Sequence, residues 1–193
     1  EPVEARLAEV ESQRHIFPVE ISLDRYYFSR LSGEAESLPG KDREIALRII
    51  GVEVDLLNID RIVRFVSFYR PGERTRLEIF LPGGRIDPET LRKAYGMQEA
   101  EDALVTLLGD TYGEYRSMAG QYKSNPYTRL HMIEEILKQI LYDEVRRLLR
   151  GYPFTVGTVL AYLFLKRKEV RSIVRLLNAK QYGLSEERIR EVL

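Results

Sequence analysis

The chain contains no cysteine among its 193 residues. Without a thiol there is no disulfide framework, no thiolate nucleophile and no cysteine-ligated zinc or iron–sulfur site, and a reducing compartment is the default expectation. Glycine and proline are modest, at 13 and 8 residues, which excludes a collagen-like repeat and argues against low-complexity disorder. Long apolar runs are also missing. The longest nearly apolar stretch, Phe154 to Leu165, is broken by Thr155, Gly157, Thr158 and Tyr162, well short of the ~20 residues that cross a bilayer. It reads as a buried helix. The opening Glu1-Pro2-Val3-Glu4 lacks the basic-then-apolar layout of a signal peptide and begins as though in mid-protein, so a preceding segment is expected.

Net charge of one sign is lacking too, because thirty basic side chains balance thirty acidic ones. The balance hides an asymmetry. From Asp143 onward eleven basic residues face six acidic, leaving 19 against 24 before it, so the C-terminal part carries +5 and the rest −5. Electropositive attraction for a partner is therefore expected to be local to the C-terminal part.

What is present is apolar spacing of three and four residues, the period of an amphipathic helix. The fold class expected is all-α, and only Leu77 to Leu81 has the length and flanking turns of a strand. Helices are expected over about Val3–Arg14, then from an N-cap at Ser22 to Gly33 after a break at Pro18, and over Lys41–Tyr69. In the last of these Ile45, Ile49, Val52, Leu56, Ile59, Val63 and Val66 form one stripe. Pro82-Gly83-Gly84 makes a turn. Asp87-Pro88 is an N-cap with proline at the first helical position, opening a short helix through Leu91–Ala94. Glu99–Leu108 is expected helical, and the glycine-punctuated tyrosine stretch that follows carries no regular period. Two long helices are then expected, about Tyr127–Arg150 and Pro153–Lys180, with a short capped helix from Ser185.

Laying the last long helix on Lys41–Tyr69 with a shift of 114 residues brings the registers into agreement. Ile49-Ile50 fall on Leu163-Phe164, Asp55 on Glu169, Leu56 on Val170, Ile59 on Ile173, Arg61 on Arg175 and Ile62-Val63 on Leu176-Leu177. Each copy follows a helix ending in glycine and precedes a turn and a capped short helix. The order of flanking elements supports a duplicated helical module of about a hundred residues, larger than a solenoid repeat. Two similar helical units are expected, 1–97 and 98–193.

The residues Pro153-Phe154, Gly157, Ala161-Tyr162-Leu163, Glu169-Val170-Arg171, Lys180, Tyr182-Gly183-Leu184, Ser185 and Ile189-Arg190 resemble the C-terminal signature of the C subunit of the V/A-type rotary ATPases (ATP synthases), relative of the d subunit of eukaryotic vacuolar ATPases. Glu53, Asp55, Asn58 and Ile59 match an acid, acid, asparagine, aliphatic pattern of that family, and Leu81 to Ile86 resembles one of its turns. The second copy departs from the pattern. It has Arg167 and Ser172 where an acid and an asparagine are expected, and keeps only Glu169. The family resembles a funnel of three helical units, so two units here imply its middle and C-terminal parts, either as a fragment of a longer chain, which the abrupt start favours, or as a shortened relative.

The resemblance implies a non-catalytic connector of the central rotor, with the membrane proteolipid ring at one end, the central stalk at the other, no cofactor, and a peripheral place on the cytoplasmic side of the membrane. Stiffness and adhesive faces suffice for such a part. A helical adaptor without a rotary role is the alternative.

Other constellations have plainer readings. His131, Glu134 and Glu135 share a helical turn as metal ligands would, but a second ligand set is missing and His15 is remote in sequence, so a structural or solvent role is favoured. Lys166-Arg167-Lys168, with Arg171, Arg175 and Lys180 behind it, could bind nucleic acid, acidic lipid headgroups or acidic protein. The first three fan around the helix, and only Lys168, Arg171 and Arg175 form one basic stripe, a solvated face on its own and an acidic-partner site, with no nucleic acid expected, under the resemblance. Tyr112, Tyr115, Tyr122 and Tyr127 are better read as packing residues with hydroxyls reaching solvent, or as part of a hinge, than as a base-stacking platform. No glycine-rich turn follows a strand as a phosphate loop requires. Glu53 and Asp55 stand two residues apart, on different sides of a helix, which argues against paired catalytic acids. With Asn58 and Glu169 they read as polar ties to neighbouring helices or loops.

Overall fold

The computed structural model describes residues 17–68, 79–109, 111–119 and 126–185. Among them the fold is all-α and contains no strand: α1 is Phe17–Glu36, α2 Gly40–Phe68, α3 Pro88–Tyr95, α4 Ala100–Leu108, α5 Arg116–Ala119, α6 Pro126–Leu149 and α7 Val156–Gln181, with a 3-10 turn at Gly113–Tyr115. Of the stretch with the length of a strand, Ile79, Phe80 and Leu81 are irregular, and Leu77-Glu78 lie outside the described residues. The helix expected near Val3–Arg14 and the one from Ser185 onward lie outside them as well, apart from Ser185 itself.

Two boundaries differ from the expected ones for identifiable reasons. Pro18 sits in the first turn of α1 instead of breaking the chain before it, because first-turn N–H groups have no intrahelical acceptor and proline loses nothing there. Gly33 lies inside α1, which continues to Glu36. A lone glycine lowers helix propensity by only about 1 kcal/mol, which tertiary burial overrides. Asp87 caps α3 as expected. Its Oδ2 accepts from the N–H groups of Glu89 at 2.9 Å and Thr90 at 3.3 Å, with Pro88 following.

The chain divides into two compact units, Glu1–Glu144 and Val145–Leu193. This division concerns compactness and falls inside α6. The repeat boundary between 97 and 98 concerns ancestry and remains a proposal. In the first unit α2 is the central rod, packed against α1, α3 and α4. Val52, Leu56, Ile59, Ile62 and Val63 of α2 join Leu91 and Ala94 of α3, Leu104, Leu107 and Leu108 of α4, and Ile133, Ile136 and Ile140 of α6 in one continuous core. Each fully buried aliphatic side chain of this kind contributes roughly 1.5–3 kcal/mol of transfer free energy.

Among the described residues the second unit consists of the end of α6, a short connection, α7 and the turn that follows it. Only small residues of α7 are buried, namely Gly157, Ala161 and Ala179. The run from Phe154 to Leu165, expected as a buried helix, is largely exposed: Phe154, Val159, Tyr162, Leu163 and Leu165 all face out. The helix also begins three residues later than expected, at Val156. It ends by a Schellman arrangement, with the Leu184 N–H donating to the Ala179 carbonyl and the Gly183 N–H to that of Lys180, while Gly183 adopts a φ of 65° that favours glycine.

Candidate functional site: a buried polar clamp and a basic helix

The chemistry-bearing residues of α2 converge on the turn that follows it. Asp55 and Asn58 are three residues apart, so both side chains leave the same side of the helix, and both are 0% exposed. Asn58 pairs with the backbone of Leu81 in both directions, donating from Nδ2 to the carbonyl at 3.0 Å and accepting the N–H on Oδ1 at 2.8 Å. Asp55 accepts from the Arg85 N–H at 2.9 and 3.0 Å, from the Ile86 N–H at 3.0 Å and from the Tyr112 hydroxyl at 2.8 Å. A turn rich in proline and glycine cannot pair its own amides, so two side chains of the neighbouring helix do it instead.

The fit is close enough to explain two glycines. A Cβ on Gly84 would stand 2.2 Å from Asp55 Oδ1, and a Cβ on Gly51 would meet Arg85 Cγ at 3.2 Å and the Gly83 carbonyl at 3.3 Å. Glycine is therefore what lets the turn lie against α2.

Burial pushes the Asp55 carboxyl above its ordinary range, opposed by the Ile86 N–H, the Tyr112 hydroxyl and the Arg85 N–H and charge. Burial, followed by the neighbouring Asp55 charge, holds the Tyr112 hydroxyl protonated. The Arg85 guanidinium lies 5.7 Å from the centroid of the Tyr112 ring, a cation–π distance. With three donors committed to it, Asp55 organises the turn. Glu53, the other acid of the pattern, is half-buried two residues away.

The tyrosines behave differently from the expectation of hydroxyls reaching solvent. Tyr112 and Tyr115 are buried, and their hydroxyls donate to Asp55 and, at 2.9 Å, to Asp143. A buried phenol hydroxyl usually finds a partner, and for Tyr112 and Tyr115 carboxylates on other elements supply it. Tyr122 lies outside the described residues, as does the side chain of Tyr127. Arg85 and Tyr112 complete the polar motif without any signal in the sequence, since nothing in the spacing of the chain brings residue 112 to residue 55.

The histidine–carboxylate constellation is taken up otherwise. His131 is exposed, Glu134 accepts from Arg64 Nη2 at 3.1 Å and Glu135 pairs with Lys138 at 2.5 Å. Among the described residues no group of three or more His, Cys, Asp or Glu side chains is placed to hold a metal. Arg64 also pairs with Asp60 at 2.8 Å, Arg48 with the buried Glu144, and Arg61 with Asp24. The Arg64–Glu134, Arg48–Glu144 and Arg61–Asp24 pairs tie α2 to α6 and α1, while Arg64–Asp60 lies within α2.

On α7 the basic residues Lys168, Arg171 and Arg175 are exposed. Glu169, the counterpart of Asp55 in the shifted register, is exposed and pairs with Lys166 at 2.7 Å, so it makes a surface ion pair of the kind worth at most about 1 kcal/mol. Among the described residues no helix is long and apolar enough to cross a membrane.

A family profile described as ATP synthase (C/AC39) subunit matches residues 1–192. The C subunit of the A-type ATP synthase of Pyrococcus horikoshii is 25% identical over 174 residues, 90% of this chain and 46% of that protein. Those of Methanocaldococcus jannaschii and Methanosarcina barkeri are 22% identical over 191 residues and 25% over 176, covering 99% and 91% of this chain but 47% of each relative. The chain spans about half the length of the curated relatives it matches. No solved structure matches it.

Proposed function

We propose, from the premise that the chain belongs to the ATP synthase (C/AC39) subunit family, that it is a non-catalytic connector of the central rotor of a V/A-type ATPase or ATP synthase. In this reading the proteolipid ring binds at one end and the central stalk at the other, and the chain transmits torque between them from the cytoplasmic side, in peripheral contact with the membrane. The observation that carries the reading is the family match along residues 1–192, together with the relatives named as C subunits of A-type ATP synthases.

The geometry is in keeping with it. Among the described residues the most buried ionisable group, Asp55, is tied to a turn and a tyrosine, which makes it a brace of the long helix α2. Such a helix bears load only if it is supported along its length, and buried side chains and satisfied polar groups supply that support. The exposed stripe Lys168, Arg171 and Arg175 is the proposed contact for an acidic partner surface, and Glu53, Asp55 and Asn58 are proposed as polar ties of α2, a role that Glu169, paired with Lys166 on the surface of α7, does not share.

The test mixes the chain with detergent-solubilised proteolipid ring and, separately, with the central-stalk pair at low salt. Binding to either that weakens at least about tenfold when Lys168, Arg171 and Arg175 are changed to Glu supports both the function and the stripe. Binding that ignores those changes removes the stripe alone. Failure to bind either assembly leaves a helical adaptor with no rotary role.

A further inference from the structure

We propose that the outward face of α7 is a docking seam for one acidic amphipathic helix of a partner protein. Val159, Leu163, Val170, Ile173 and Leu177 are each 50–60% exposed, although all are aliphatic. Their steps along the chain, with Lys166 and Lys180 included, alternate four, three, four, three, four and three residues. This is the heptad rhythm, in which every member faces one narrow seam that a second helix fills by knobs-into-holes packing. Tyr162 and Val174 border the seam and are also exposed. The small buried residues Gly157, Ala161 and Ala179 lie on another side of the helix.

The shifted register shows what such positions look like when covered. Leu163, Val170, Ile173 and Leu177 fall on Ile49, Leu56, Ile59 and Val63 of α2, all buried in a unit where α2 packs against α1, α3 and α4. The same rhythm lies beneath helices in one place and is exposed in the other.

Charge selects among occupants. Lys166, within the seam, falls on Val52 of α2, and its present partner Glu169 is an exposed surface pair of little strength. From Lys166 to Lys180 the helix carries six cations and one acid. A flat bilayer does not select a stripe one helix wide with a lysine at its centre. A second copy fits no better. In parallel pairing Lys166 meets its own counterpart, and in the antiparallel register that sets Leu163 against Ile173 it meets Val170. A helix with apolar residues in heptad spacing and carboxylates opposite Lys166 and Lys180 satisfies the whole face. Lys168 and Arg175 point to the other side of α7, so this seam is distinct from the basic stripe and does not rest on the rotor reading.

The absence of cysteine permits a clean probe. Val174→Cys, at the border of the seam, is labelled with a polarity-sensitive dye and titrated with a synthetic four-heptad peptide carrying Leu and Ile in its seam and Glu at the flanking and lysine-facing positions. Expected are a saturable blue shift with one peptide per chain, a loss of about tenfold in affinity from low to high salt, and a further loss of at least about tenfold for Leu163→Asp or Ile173→Asp. Because both residues are half exposed, these variants keep the wild-type helix signal in circular dichroism. Lys168→Gln with Arg175→Gln changes affinity less than about threefold.

The proposal is overturned if the peptide gives no shift, or if an isomer with Lys in place of Glu binds equally well. A dye shift produced by raising the protein concentration alone would assign the face to a second copy. One produced by phosphatidylglycerol vesicles would assign it to a membrane surface.

Discussion

The helices α2 and α7 carry nearly the same apolar rhythm, one beneath other helices and one exposed. Ile49, Leu56, Ile59 and Val63 are buried, while their shifted counterparts Leu163, Val170, Ile173 and Leu177 are exposed. The polar positions diverge in the same way. Asp55 is enclosed by three donors, whereas Glu169 sits in solvent beside Lys166. Periodicity states which side of a helix wants company, but the number of neighbouring elements decides whether it has any. A side chain of given chemistry then has a role set by its surroundings: a brace in α2, a surface charge in α7.

Paired substitutions break or sharpen this contrast. The largest difference is expected at the acids. Asp55→Ala leaves the Arg85 and Ile86 amides and the Tyr112 hydroxyl without an acceptor, at about 1–3 kcal/mol for each buried unsatisfied group, so a loss of at least about 3 kcal/mol is expected. Glu169→Ala should cost less than about 0.5 kcal/mol. Urea unfolding followed by circular dichroism measures both, and equal losses would erase the contrast.

Next come the aliphatic positions. Ile59→Ala opens a cavity in a packed core and should cost about 2–4 kcal/mol, while Ile173→Ala at an exposed site should cost under about 1 kcal/mol in the isolated chain. Gly84→Ala drives a methyl into Asp55 and should destabilise by about 2–3 kcal/mol, through overpacking and displacement of the clamp. Restoring space with Asp55→Ala in the same chain should make the second change cost less than it does alone, which a double-mutant cycle reads directly.

A smaller effect concerns pH. The Asp55 carboxyl titrates above its ordinary 3.8 because of burial, so the folded state holds this proton more tightly than the unfolded chain. Its contribution to stability is fully present below the ordinary value and is lost as pH rises through the raised one. The stability of the wild type relative to Asp55→Asn should therefore fall as pH increases across that window and become flat above it. A difference that rises with pH there would show that the hydrogen bonds outweigh burial. The smallest effect is expected for Lys168→Gln, Arg171→Gln and Arg175→Gln, each within about 0.5 kcal/mol of wild type in the same unfolding measurement.

Much of this was legible in the residues. Three- and four-residue spacing identified the long helices, and Asp87-Pro88 identified the start of α3, because both depend on interactions within a few positions of the chain. Asp55 and Asn58 could be read as polar ties from residue type and spacing. Their acceptors and donors could not, since the Asn58–Leu81 and Asp55–Tyr112 pairs join residues far apart in sequence. Pro18 and Gly33 misled for different reasons: a proline in the first turn removes no intrahelical hydrogen bond, and the small penalty of one glycine is outweighed by the packing of the rest of α1.

By itself, then, the order of residues determined the helical class, the two matching apolar rhythms and the basic bias of the C-terminal part, since these are properties of neighbours along a chain. Only the tertiary structure decided that one rhythm would be covered and the other left open, and that Asp55 would close on a turn and a distant tyrosine. Burial is set by which elements meet, and no repeating interval within a single helix contains that information.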